Sequence, residues 1–317
     1  MVSNATSTRP PGAGRDRTIE VRDLRMRYGR TDVLTGVTFS ARPGEVVALL
    51  GPNGAGKTTT IEILEGFRMR SSGQVDVLGA DPARAGEQWR ARVGVVLQFW
   101  RDHSRWRVRE LLDHLALYYR AHLTGPRRPW DVNELIASVG LTDRADERVA
   151  RLSGGQRRRL DVAIGIVGRP ELLFLDEPTV GFDPEARREF HDLVHELAGD
   201  DTTILLTTHD LDEAEKLADR ILILAGGTII ADGPADELSR RMSTRAEVRW
   251  TVGGTRHVHS PADATTFVRD LFRRHGDAVT DLEMRRVSLE DTYMSMVEKF
   301  EAGRRDAAVR EFEGVAR

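Results

Sequence analysis

Cysteine is absent from the 317 residues. That excludes disulfides, iron–sulfur clusters and thiolate zinc sites, and it suits the cytosol. Long apolar runs are missing too: none approaches the roughly 20 residues needed to span a bilayer. The polar, Pro- and Gly-bearing start, Met1 to Asp16, lacks the apolar core of a signal peptide and reads as a disordered tail over 1–17. Neither sign of charge dominates, and a net charge of −3 gives no reason to expect nucleic acid as a partner. Lysine is nearly absent. Of 47 Lys plus Arg, only Lys57, Lys216 and Lys299 are lysine. What remains is ordinary for a globular chain, 40% apolar and 31% charged, with material for one large domain and a small second one.

The lysine at 57 stands inside Gly51-Pro52-Asn53-Gly54-Ala55-Gly56-Lys57-Thr58-Thr59. An apolar run, Val46 to Leu50, precedes it as a buried strand, and Thr60 to Leu64 follows as the first turns of a helix. Strand, glycine loop and helix together form the context that a G-x-x-x-x-G-K-[ST] match needs. The glycines let backbone N–H groups converge on an anion, and the helix N-terminus adds partial positive charge. Lys57 would reach the β- and γ-phosphates, and the Thr58 hydroxyl would bind Mg²⁺. Elsewhere the chain writes Arg, but a planar guanidinium does not replace a compact ammonium among phosphate oxygens.

Residues 18–50 alternate apolar and polar and read as antiparallel strands. Gly73–Gly79 and Val93–Gln98 read as further strands. Leu111, Leu112, Leu115, Leu117 and Tyr118 recur at helical spacing within Arg107–Leu123, and a second helix is expected after Trp130. Glu171–Asp176 is a continuous apolar run, as in a strand buried on both faces of a parallel sheet. The expected fold is therefore an α/β core of the P-loop NTPase kind with an antiparallel β subdomain and a helical insertion at about 100–165. Composition changes near Arg240–Thr244. Beyond it a strand (Ala246–Val252), a helix near Pro261–His275, a strand near Ala278–Val287 and a helix from Ser288 make a small α+β appendage. The last helix carries Leu289, Tyr293, Met296 and Phe300 on one face. The expected divisions are the tail to 17, a nucleotide-binding domain over 18–240, the appendage over 241–303 and a charged tail over 304–317.

Three further segments carry chemistry. Leu152-Ser153-Gly154-Gly155-Gln156 heads a helix, a second anion-binding end with a hydroxyl and two glycine amides on offer. Leu175-Asp176-Glu177-Pro178 ends the buried strand, with Asp176 placed to hold Mg²⁺ through water and Glu177 to polarise a water for attack. Thr207-Thr208-His209-Asp210 closes another strand with a histidine at its carboxyl end, where ligands sit in open parallel sheets.

In this order and spacing the motifs resemble the ATP-binding cassette of ABC transporters over roughly 18–240, and the Leu-Ser-Gly-Gly-Gln segment is that family's own signature. The resemblance implies ATP and Mg²⁺ as cofactors, bound by the loop from Gly51 to Thr59. It further implies that Tyr28 stacks on adenine and that Gln98 approaches Mg²⁺ and the attacking water. Ser153, Gly154, Gly155 and Gln156 would belong to the site of the opposite subunit, with a second copy of the chain as partner. Val180-Gly181-Phe182-Asp183 would be the dimer-contact loop, and His209 the γ-phosphate switch. Phe182 replaces the usual Leu, and Leu97-Gln98-Phe99-Trp100 replaces the commoner Pro-Gln. Neither removes a reactive group.

Glu65-Gly66-Phe67, Val77-Leu78-Gly79-Ala80-Asp81-Pro82 and Ser288-Leu289-Glu290-Asp291 also resemble drug-exporter ATPases that work with separate transmembrane permease subunits of the ABC-2 type. That implies an ATPase on the cytoplasmic side of the cell membrane, peripheral through its permease, energising export of a drug-like or lipid-like substrate. Trp100 or Trp106 would either line a socket for the permease or pack in the helical lobe. Two alternatives stand beside this reading. One is a soluble ABC ATPase acting on ribosomes or DNA; a single cassette, no long coiled-coil insertion and non-basic charge count against it. The other is a transporter ATPase of different direction or substrate.

Overall fold

The computed structural model describes residues 17–96, 103–122, 129–199, 202–242, 246–259, 261, 263–286 and 293. Its centre is a six-stranded sheet in the order β5-β6-β7-β3-β8-β9. Here β3 is Val46–Leu50, β5 Val93–Val96, β6 Leu172–Asp176, β7 Thr203–Thr208, β8 Arg220–Ala225 and β9 Thr228–Gly233. The first five in that order run parallel, and β9 closes the edge antiparallel to β8. Every residue of β3, β6 and β7 is buried, because both faces of the sheet are covered. The loops at the carboxyl ends of β3, β6 and β7 therefore meet at one rim.

Two apolar clusters cover the two faces. One contains β1 (Ile19–Tyr28), β2 (Thr31–Ala41) and β4 (Ser72–Val77), an antiparallel sheet in the order β2-β1-β4. Its residues Ile19, Val37, Leu34 and Val77 pack with Leu49, Phe174, Leu205 and Leu222 of the central sheet. The antiparallel expectation for 18–50 holds for β1 and β2 but is corrected for β3. Val46–Leu50 has no polar alternation, and it pairs in parallel with both β7 and β8.

The second cluster joins the other face to the helices: α3 (Val108–His122), α4 (Val132–Ser138), α5 (Gly154–Ile166), α6 (Pro184–Gly199) and α7 (Leu211–Leu217). The helix over Val108–His122 matches the Leu/Tyr periodicity, and α4 starts behind Asp131, whose carboxylate accepts from the N–H groups of Asn133 and Glu134. The expected strand to Gln98 is described over Val93–Val96, and Gln98 itself lies outside the described residues, as does Trp100.

In the C-terminal part, β10 (Ala246–Val252), β11 (Thr255–His259) and β12 (Val279–Arg286) form an antiparallel sheet in the order β11-β10-β12. The helix Ala264–His275 packs on it through Phe267 against Trp250. The strand Thr255–His259 was not anticipated. Of the helix expected from Ser288, only Tyr293 is described. It is buried not within the appendage alone but as a member of the second cluster, together with Leu238 and the central-sheet residues.

Candidate functional site

The loop between β3 and α1 (Lys57–Leu64) is shaped by glycines that no other residue could replace. Gly56 has φ +105, and a Cβ there would lie 2.6 Å from Leu34. A Cβ at Gly51 would lie 2.5 Å from the carbonyl oxygen of Leu224. The loop closes with Ala55 N–H donating to the Pro52 carbonyl and Thr60 to the Gly56 carbonyl. Asn53, Gly54 and Thr58 are exposed, whereas Lys57 is 5% exposed.

Lys57 is where the rim converges. Its Nζ donates to the Gly51 carbonyl at 2.8 Å and the Pro52 carbonyl at 3.4 Å, and pairs with Glu177 Oε1 at 3.4 Å. Glu177 Oε1 also lies 3.4 Å from His209 Nδ1. One carboxylate oxygen is thus shared by the loop lysine and the strand-end histidine, which is itself half exposed. Glu177 is held there at φ +44, a left-handed conformation that a non-glycine residue adopts only when its surroundings impose it. Its N–H donates to both the carbonyl and the hydroxyl of Thr207.

Next to it, Asp176 accepts from Thr207 Oγ1 at 2.5 Å on Oδ1, leaving Oδ2 3.4 Å from the Thr58 hydroxyl. Lys57, Thr58, Asp176, Glu177 and His209 are therefore brought together from three strand ends. Sequence reasoning did not single out Thr207, whose hydroxyl donates to the Asp176 carboxylate and whose carbonyl and hydroxyl accept from the Glu177 N–H; these contacts are visible only once β6 and β7 are paired.

Ser153 and Gln156 are engaged with each other. Ser153 is the N-cap of α5, its hydroxyl accepting from Gln156 N–H at 3.3 Å, while the Gln156 side chain accepts from Ser153 N–H at 3.0 Å. Gln156, expected in the site of the opposite subunit, completes this capping box through its side-chain oxygen and backbone N–H. Gly154 and Gly155 face open space, where an added Cβ would meet nothing within 4 Å. Tyr28 stands at the end of β1, 39% exposed, with the Arg68 guanidinium 5.1 Å from its ring centroid. Trp106 packs against His114, its ring 5.1 Å away, and remains 36% exposed.

A parallel sheet with a glycine loop, a lysine and a carboxylate pair at its carboxyl rim defines a P-loop nucleoside triphosphatase. The model of the ABC transporter family matches residues 34–180. The chain is 35% identical over 300 residues to the daunorubicin resistance ATP-binding protein DrrA2 of Streptomyces coeruleorubidus, covering 86% of this chain and 92% of that one. It is 40% identical over 228 residues to the Nod factor export ATP-binding protein I of Ralstonia nicotianae, covering 72% and 70%. A solved ATP-binding subunit of an ABC transporter superposes with a TM-score of 0.62 at 29% identity, over 71% of this chain and 92% of that one. The chain belongs to the ATP-binding cassette family of ABC transporters, and it is a nucleotide-binding ATPase.

Proposed function

We propose that this ATPase is the motor of an exporter, closing as a homodimer around two Mg-ATP and moving separate transmembrane subunits from the cytoplasmic face. The observation that carries the reading is the division of the site. Lys57, Asp176, Glu177 and His209 gather at the sheet rim, while the amide end of α5 at Gly154 and Gly155 is open to solvent. A second copy would bring its own α5 end to the γ-phosphate, so ATP acts as the glue between copies.

The donor set fits Mg²⁺, a hard cation that takes oxygen ligands. Thr58 and Asp176 offer a hydroxyl and a carboxylate oxygen 3.4 Å apart, and the second Asp176 oxygen is already satisfied by Thr207. Thr58 and Asp176, with Gln98, would hold the ion, which when bound neutralises charge on the β- and γ-phosphates. Lys57 would exchange the Gly51 and Pro52 carbonyls for phosphate oxygens. That exchange releases Glu177 to accept a proton from the attacking water, with His209 keeping the carboxylate in place. Tyr28 would present its ring to adenine, and Trp106 would contact the membrane subunit.

One relative is named for daunorubicin resistance and the other for Nod factor export, which supports a drug-like or lipid-like substrate for this chain. The domain division proposed is a nucleotide-binding unit to about residue 240 followed by the small β10–β12 appendage. The test is affinity capture of tagged Glu177→Gln chain from detergent-solubilised membranes with Mg-ATP. Recovery of a polytopic membrane protein in near-equal amount is the expected result. Recovery of ribosomal or DNA-bound proteins without one would sink the exporter reading.

A further inference from the structure

Behind the rim lies a buried string of polar contacts built on Arg158 and Glu213, two residues outside the named motifs. Glu213 of α7 is 3% exposed and accepts from Thr179 Oγ1 at 2.6 Å and from Thr208 Oγ1 at 2.5 Å. Thr179 immediately precedes the Val180–Asp183 loop, and Thr208 immediately precedes His209. From the other side comes Arg158 of α5, 7% exposed. Its Nε donates to the Pro178 carbonyl at 2.8 Å and its Nη2 to the Asp176 carbonyl at 3.4 Å. The helix whose N-cap is Ser153 is therefore tied, through Arg158, Pro178–Thr179, Glu213 and Thr208, to the segment that ends in His209.

These contacts are a poor way to gain stability. Burial pushes the Arg158 guanidinium down and the Glu213 carboxyl up, each disfavouring its own charge. Desolvation of the two charged groups offsets much of what their hydrogen bonds contribute. What an ion-and-hydroxyl string provides instead is a fixed register: displacement of one member leaves a buried partner unsatisfied.

We infer that Arg158 and Glu213 are positioning residues that couple the two nucleotide sites of the dimer. The inference rests on the proposed sandwich, in which α5 of one copy serves the site whose Lys57 belongs to the other. Occupancy at that site pulls on α5; Arg158 transmits the shift to Asp176–Thr179, and Glu213 carries it to Thr208 and His209 in the chain's own site. Hydrolysis at one site then depends on ATP at the other.

Mixed dimers of differently tagged full-length chains test this, with Lys57→Ala in one copy so that one site stays empty. The hydrolysis rate per intact site should fall roughly fivefold or more relative to the all-intact dimer, the usual span of an allosteric coupling. With Glu213→Ala in both copies, the intact site should become indifferent to its neighbour, the ratio returning to about one, while the dilute chain binds fluorescent ATP within about twofold of normal. Glu213→Gln, whose carbonyl still accepts a hydroxyl, should restore the dependence. Thr179→Val breaks one link without emptying the buried space, and it decides the matter if Glu213→Ala fails to fold. An unchanged ratio in Thr179→Val or in a folded Glu213→Ala, even with a lowered melting temperature, overturns the relay and leaves Glu213 a packing residue. Absence of any ATP-dependent dimer in Glu177→Gln would remove the sandwich reading itself.

Discussion

At the level of single residues, Lys57 has three partners to lose. Its ammonium is held by two loop carbonyls and by Glu177, so a truncation removes both the proposed phosphate contact and the charge beside the proposed base. Lys57→Ala is expected to weaken nucleotide binding at least about tenfold as well as slowing hydrolysis, since a ground-state contact is lost. Lys57→Arg should not rescue it. Titration with a fluorescent ATP analogue separates the two effects. A second residue, Glu65, closes the C-terminal end of α1. It is 6% exposed, its Oε2 has no hydrogen-bond partner among the described residues, and burial, reinforced by the charges of Asp176 and Glu62, pushes its carboxyl up to about 8. A carboxyl that titrates near its usual value when unfolded and near 8 when folded keeps more protons in the native state. Its stabilising contribution is complete below about pH 4.5 and is lost as pH rises through 8. Glu65→Gln should abolish that decline and raise stability at pH 8 by something on the order of a few kcal/mol. Urea midpoints at pH 6 and 8 would show it; equal slopes in wild type and variant would refute it. Lys57, Thr58, Asp176 and Glu177, which the fold gathers at one rim, were legible as a group because phosphate and metal chemistry ties residue type to spacing. Thr207, Arg158 and Glu213 were not. Their duties arise from contacts between segments about 20 to 34 residues apart, with no local pattern to mark them.

Among elements, α5 shows how one sequence segment serves two ends. The Ser153–Gln156 capping box satisfies the first orphan amides, while Gly154 and Gly155 leave the approach to the helix end unobstructed. Ser153→Ala should cost about 1 kcal/mol of stability, as the loss of a helix cap usually does, measurable by thermal melting. Its effect on hydrolysis should be far larger than that if the hydroxyl also serves the partner site; a loss in parity with the cap energy alone would make Ser153 merely structural. The elements easiest to read were those whose burial is uniform or periodic. Strand β6 announced itself by an unbroken apolar run, and α3 by its leucine spacing. What escaped were the hairpins. Gly226–Gly227 and Gly253–Gly254, all at positive φ, join β8 to β9 and β10 to β11. A Gly-Gly pair between two strand-like runs is the local signal that finds them. Strand β3 carries the same unbroken apolar run as β6, but grouping it with the alternating strands before it hid that signal, and its pairing with β7 and β8 shows that it runs parallel.

For the whole molecule, the question is whether the C-terminal part is an independent passenger. The sequence puts Tyr293 on the last helix of the appendage, on one face with Leu289, Met296 and Phe300. It lies, 6% exposed, in the cluster that also contains Leu173, Leu206, Val194 and Leu238. The sequence could not disclose this, because an amphipathic stripe states that one face is covered and not by what. If the segment around Tyr293 helps to close the core of the ATPase unit, Tyr293→Ala removes a large buried ring from that core. The expected loss is about 3 kcal/mol, as for other large-to-small aromatic changes. A chain ending at Met242 should then unfold at a similarly lowered denaturant midpoint and should bind ATP less well on warming. Both are measured by urea unfolding with ATP absent and present, because ligand that binds only the folded state shifts the midpoint by a calculable amount. A truncated chain as stable as the full one would mean that the appendage is tethered and not integrated, and the dimer would then have to work without it. The relative that aligns over 92% of its own length carries sequence matching this region, so the same truncation in that protein offers an independent check.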